Sequence, residues 1–172
     1  MKLIYTIVFV IFNASVAHGQ LAPVEVVSAL GNTQKQGEAD VRLFGFNLYR
    51  AELWTDDNGF TFEQPFALSL IYKRNFTARQ LAGRTVEEVA KMEGVSVGTH
   101  QGMQALEQCF RNVQPGDRIT GVAVDHNRAR FYWNGQQTCE FTYPDFTRRF
   151  FGIWLDERSI DPRSRARLLG QS

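Results

Sequence analysis

Asn134-Gly135 stands between two runs of strand-forming residues, 129–133 and 137–141. Such a pair readily supplies two consecutive left-handed backbone positions, the geometry of a two-residue hairpin, so the flanking runs are expected to lie antiparallel. A second turn signal, Asp125-His126-Asn127-Arg128, joins the first run to residues 118–124. Three strands connected in this way form a meander, and a meander commits the chain to an antiparallel sheet.

The rest of the sequence must be fitted around that sheet. Residues 24–30 read as a short apolar strand ended by Gly31-Asn32, and 34–38 as a polar turn containing Gly37. Residues 39–54 read as one long strand, and 66–74 as another introduced by Pro65, with the turn residues 55–59 between them. The period then changes. Leu81, Val86, Val89 and Met92 recur at helical spacing within 77–93, Gly83 suggests a break, and Thr85 with Glu88 fits a capping box. A second helix is expected over 99–112, with Met103, Leu106, Phe110 and Val113 on one face, ended by Pro115-Gly116-Asp117.

After the meander the chain is helical from residue 143, with Pro144 in the first turn. Phe146, Phe150, Ile153 and Trp154 share a buried stripe. A last short helix, 162–169, has Gly170 as its C-cap, and Arg163, Arg165 and Arg167 give it a solvated basic face. Arg167 has Asp156 and Glu157 as further candidate partners. Strands and helices are segregated, which predicts an α+β fold with helices covering one face of the sheet.

The first 19 residues are expected to stand outside that domain. Lys2, the apolar run 3–12 and the small residues 14–19 have the pattern of a signal peptide. An apolar run of about ten residues is too short to span a bilayer, which needs roughly 20. The expected organisation is a signal peptide over 1–19 and one domain over 20–172, in a periplasmic or secreted protein. No later segment is apolar enough to be a transmembrane helix.

Without Lys2 the 19 basic residues become 18, matching the 18 acidic ones. A near-neutral chain argues against non-specific nucleic-acid binding, and its net charge gives no reason for docking to anionic lipid. Two cysteines, Cys109 and Cys139, allow a disulfide in an oxidising compartment, closing a loop of about 30 residues. Two buried thiols that never meet are the alternative. There is no Gly-rich phosphate loop, HExxH or CxxC. His100 and His126, with two scattered cysteines, are a poor donor set for zinc. No catalytic residue, metal or cofactor is expected.

Arg42 is the most informative polar residue. On a single strand over 39–54 it shares a side with Phe44, Phe46 and Leu48. A guanidinium stays charged everywhere, so it must be satisfied. It reaches water at the sheet edge, pairs with Glu38, Asp40 or Glu52, or stands at the mouth of an apolar cleft and holds an acid. On 66–74, Phe66, Leu68, Leu70, Tyr72 and Arg74 alternate onto one side in the same manner.

The segments "RLFGFNLYRAELW", "PFALSLIYKRNF" and "FTRRFFGIWLDERSIDPRSRARLLG" resemble the exported bacterial branch of the chalcone isomerase-like family. The resemblance spans roughly residues 39–170 and implies an open-faced β-sandwich, a large antiparallel sheet covered by helices. The enzymatic members are intramolecular lyases that close a flavanone ring with an arginine, a strand threonine and a tyrosine. Here Gly31-Asn32, Phe44 and the tyrosine-free stretch 77–81 stand in those places, which argues against that activity.

Other members bind fatty acids through an arginine and a tyrosine. By that resemblance Arg42 or Arg74, with Tyr72 or Tyr49, would hold the carboxylate of a small apolar acid beside Phe44 and Phe46. Strand parity favours Tyr72, since Tyr49 would face away from Arg42. An interaction domain for another envelope protein is the third reading, with no small ligand.

Overall fold

The computed structural model describes residues 21–171. The signal peptide expected over 1–19 lies outside the described residues. Six strands form one sheet: β1 (Gln34–Leu43), β2 (Phe46–Thr55), β3 (Ala67–Tyr72), β4 (Arg118–Asp125), β5 (Arg128–Trp133) and β6 (Gln136–Thr142). They lie side by side in chain order, and every neighbouring pair is antiparallel. The meander from β4 to β6 runs as the turn residues require, with Asn134 and Gly135 both at positive φ.

Among the described residues, five helical segments accompany the sheet. They are α1 (Val24–Leu30), α2 (Ala78–Glu93), a run of 3₁₀ turns over Val97–Gln108, α3 (Phe146–Leu155) and α4 (Pro162–Leu168). α2, the 3₁₀ run, α3 and α4 contribute side chains to a core on one face. There Leu53, Leu68, Val86, Met103, Leu106, Phe131, Phe150 and Leu168 are buried together. Rings of Phe110, Phe131, Phe146, Phe150 and Phe151 pack edge-on or stacked within it. The α+β layout is therefore the one expected.

Several local expectations are corrected. Residues 39–54 are not one strand: the chain reverses at Phe44-Gly45, both at positive φ, so β1 and β2 form a hairpin. The expected turn at 34–38 is the start of β1. Gly37 lies there because a Cβ would overlap the carbonyl oxygens of Arg167 and Leu168, where the end of α4 presses on the strand.

Residues 24–30 are a helix, not a strand. α1 covers part of the sheet's outer face, with Val26 packed on Trp54, Ala67 and Val122. Its Glu25 carboxylate is buried and accepts from Arg118 Nε at 3.0 Å and Thr120 Oγ1 at 2.8 Å. Those bonds satisfy a charge that would be costly to bury alone.

The capping box sits eight residues earlier than Thr85 and Glu88 suggest. Thr77 Oγ1 accepts from the Gln80 N–H, and the Gln80 side chain accepts from the Thr77 N–H at 2.8 Å. Gly83 does not break α2, and Thr85 is a mid-helix residue whose hydroxyl donates to the Leu81 carbonyl at 2.9 Å. Pro144 precedes α3 rather than opening it, since Asp145 is the N-cap.

Candidate functional site

A cleft of about 420 Å³ opens between the β1–β2 hairpin, α2 and the α3–α4 connection. The register explains which strand residues face it. Val41, Tyr49 and Tyr72 are direct partners across β1, β2 and β3. A bulge between Val41 and Arg42 follows, so that Arg42 pairs with Asn47 and Leu48 is the extra residue. Bulges re-aim side chains. Arg42, Leu43, Leu48 and Tyr49 all line the cleft, with Leu70, Tyr72, Phe110, Phe150, Ile153 and Trp154 forming its apolar walls.

This placement corrects the parity argument. Tyr49 and Arg42 were expected on opposite faces of one strand. The hairpin and bulge bring both to the same cleft. Of the other residues expected there, Arg42 and Tyr72 line it, whereas Phe44 is 91% exposed at the hairpin tip and Phe46 is 58% exposed. Arg74 lies over the Phe46 ring, 5.0 Å from its centroid, and is not among the cleft residues.

The polar groups of the cleft fall into two sets. One set is satisfied internally. Arg84 pairs with Glu88 one turn along α2. Asp161 caps α4 by accepting from the Ser164 N–H at 3.0 Å and its hydroxyl at 2.6 Å. Ser159 Oγ donates to the Ile153 carbonyl at 2.8 Å.

The other set faces the hollow. Tyr49 Oη accepts from Trp154 Nε1 at 3.0 Å, and burial pushes its hydroxyl up to about 12. Burial raises the Tyr72 hydroxyl further, so both phenols are neutral donors at any ordinary pH. Tyr72 is buried and its hydroxyl makes no hydrogen bond among the described residues. Arg42 pairs with none of the carboxylates the sequence offered. Asp40 and Glu38 are taken by Arg50, at 3.3 and 3.7 Å.

Two larger hollows, of about 590 and 550 Å³, lie toward the other end of β3. Arg148 lines both, but it is engaged by Glu63 at 3.4 Å and by Asp156 at 3.8 Å and lies over Phe62. The apolar cleft with unspent polar groups is the better candidate for a ligand.

Sequence reasoning also missed the surroundings of His100. It is 2% exposed, with Nε2 2.8 Å from Glu93 Oε2 and Nδ1 3.3 Å from Tyr143 Oη. Arg149 Nε donates to the other Glu93 oxygen at 2.8 Å. The carboxylate lies seven residues upstream, across the α2 C-cap at Gly94, so linear proximity did not reveal it. This network ties α2 to the segment before α3 and lies outside the cleft. Among the described residues, no group of three or more His, Cys, Asp or Glu is placed to hold a metal ion.

Arg165, expected on a solvated face, is half-buried and donates to the Leu155 carbonyl at 3.0 Å. Asp156 is held by Arg158 rather than Arg167, with Nε at 2.8 Å, Nη2 at 3.0 Å and the backbone N–H at 3.0 Å. The Arg158 hydrogen bonds, acting against burial, hold the Asp156 carboxyl at about 2. Its pKa is depressed by folding, so the stability it contributes is complete above about pH 4 and is lost as pH falls toward 2. In urea titrations, Asp156→Asn is expected to be about 2 kcal/mol less stable than the parent at pH 7, and the gap to close by pH 2. A gap that stays constant with pH would remove this ion pair from the account.

The sequence profile of the family described as chalcone isomerase-like matches residues 40–170. The chain belongs to the chalcone isomerase-like family. No curated protein sequence matches it. Among solved structures, the chalcone isomerase-like fold is shared with the Arabidopsis thaliana fatty-acid binding protein AtFAP1. That match has a TM-score of 0.61 at 11% identity, covering 80% of this chain and 87% of the other. Identity at that level speaks for the fold alone. The chalcone isomerase-like sheet and its helical layer are thus shown, and the cleft lies between them.

Proposed function

We propose that this is an exported, non-catalytic chalcone isomerase-like protein that holds a small apolar carboxylic acid, such as a fatty acid, in the cleft. One observation carries the reading. Among the described residues, a guanidinium without an ion pair, Arg42, and a neutral phenol whose hydroxyl makes no hydrogen bond, Tyr72, border a hollow that is otherwise apolar or internally satisfied. A carboxylate offers the acceptors both lack, and an alkyl chain fills the space between Leu70, Phe110, Phe150 and Ile153. The printed description of AtFAP1 as a fatty-acid binding protein supports the same ligand class. The apolar N-terminal run and the disulfide between Cys109 and Cys139 support export to an oxidising compartment.

Isothermal titration with a long-chain fatty acid and with the alcohol of equal length tests this. A hydrogen bond to a charged group contributes about 1.5–3 kcal/mol, so Arg42→Gln is expected to weaken acid binding by roughly 10- to 150-fold. Alcohol binding should be nearly unchanged. Equal losses for both ligands would remove Arg42 from the head-group contact. A chalcone cyclisation assay by absorbance is expected to show no turnover, and rapid turnover would replace this proposal with an intramolecular lyase.

A further inference from the structure

The β1–β2 hairpin ends in a tip that none of the described residues covers. Leu43 is 45% exposed, Phe44 91% and Phe46 58%. The turn has Phe44 at φ 49° and Gly45 at φ 81°, a left-handed pair in which Asn, Asp or Gly ordinarily occupies the first position. A bulky residue is disfavoured there. The chain therefore places a large, almost fully exposed apolar side chain at the apex, in a conformation that opposes it. Strain of this kind clusters at functional points.

The charge around the tip is one-sided. Segments 41–49 and 71–76 contain Arg42, Lys73 and Arg74 and no carboxylate. Arg42 and Lys73 form no ion pair among the described residues, and Arg74 stacks on Phe46. The apex is also continuous with the cleft. Arg42 and Leu43 belong to both, and the half-exposed Ile160 lies on the cleft's far wall. The nearby Asp161 carboxylate is turned into the start of α4.

We propose that this tip is a membrane-contact site for an anionic lipid surface. Leu43, Phe44 and Phe46 enter the boundary between headgroups and acyl chains, and Lys73 and Arg74 face the lipid phosphates. Aromatic and basic side chains together are what that boundary takes up. A convex apex with three apolar side chains needs a matching socket on a protein partner, whereas a bilayer yields around it. Net neutrality of the chain does not bear on this, because the positive charge is local. In this orientation the cleft mouth lies against the bilayer. Exchange of an apolar acid between the two would follow from the ligand proposed above, but docking does not depend on it.

The test uses the full chain and vesicles of equimolar phosphatidylglycerol and phosphatidylcholine with brominated acyl chains. In Phe44→Trp the introduced indole is expected to lose at least half its emission to the bromines, beyond the loss from the native tryptophans. Each basic residue near an anionic surface contributes about five-fold in affinity, so Lys73→Gln with Arg74→Gln should weaken vesicle binding about 25-fold. Phe44→Asn suits the left-handed turn, so it should melt at a higher temperature while losing insertion. Those opposite changes exclude misfolding as the cause. An unquenched apex overturns the proposal, and so does vesicle binding that ignores all three substitutions. Protection of the apex by a protein while vesicles remain inert overturns it as well.

Discussion

Replacing Phe150 with alanine is expected to lower stability by about 3–5 kcal/mol, the usual cost of removing a buried aromatic ring. Phe150 is the hub of the helix–sheet layer. Its ring centroid lies 4.9 Å from that of Phe151, 5.1 Å from Phe131, 5.3 Å from Phe146 and 5.5 Å from Trp154. In a chain of this size each kcal/mol shifts the melting midpoint by about 2–4 °C, so a drop on the order of 10 °C is expected. The ring also walls the cleft, so the vacated space joins the ligand cavity instead of closing as a dry void. Bulkier apolar acids should regain part of the lost midpoint when bound. Guanidinium melts with and without such an acid read both effects. A loss below about 1 kcal/mol would mean that this ring is not a packing centre.

Breaking the disulfide is the second large effect. Cys109, at the end of the 3₁₀ run, is joined to Cys139 in β6, 30 residues away. In the chain-entropy account a loop of that length contributes about 3.5 kcal/mol. Reduction also removes one tie on the segment that holds Phe110 against the cleft, where the 2.6 Å bond from Thr138 Oγ1 to the Cys109 carbonyl remains. Denaturation with and without dithiothreitol, set beside Cys109→Ser with Cys139→Ser, should give equal losses. If reduction costs nothing while the serine pair is unstable, packing at these positions and not the cross-link is responsible.

What the sequence revealed depended on local chemistry. The β4–β6 meander was legible because Asn134-Gly135 is the residue pair its turn demands. The β1–β2 hairpin was hidden because Phe44-Gly45 carries no such signal, and the alternation of apolar residues runs straight through it. Missing that turn and the bulge behind it hid how Arg42 and Tyr49 come to one cleft. Arg42 and Tyr72 were singled out for the cleft they line, while Tyr49 was sent to the wrong face and Phe44 and Phe46 were placed inside instead of at the tip.

α1 was misread for a different reason. Three valines in seven residues favour a strand locally. The helix becomes intelligible from the far side of the chain, where Arg118 and Thr120 receive Glu25. The cleft's decisive property, which polar groups remain unspent after folding, has no linear signature. Arg50 takes Asp40 and Glu38, two of the three carboxylates that were one alternative for Arg42, and only the register of β1 on β2 decides between the two arginines.

The strand order adds one more consequence. β3 and β4 are neighbours in the sheet, yet α2 and the whole 3₁₀ run lie between them in the chain. That stretch is an excursion that leaves and returns to adjacent rungs of a ladder. Its length and lining can therefore be rewritten without re-registering a single strand pair. A protein built on this plan can acquire a new roof for its cleft by exchanging one contiguous cassette, while the sheet beneath keeps Arg42 and Tyr72 in place.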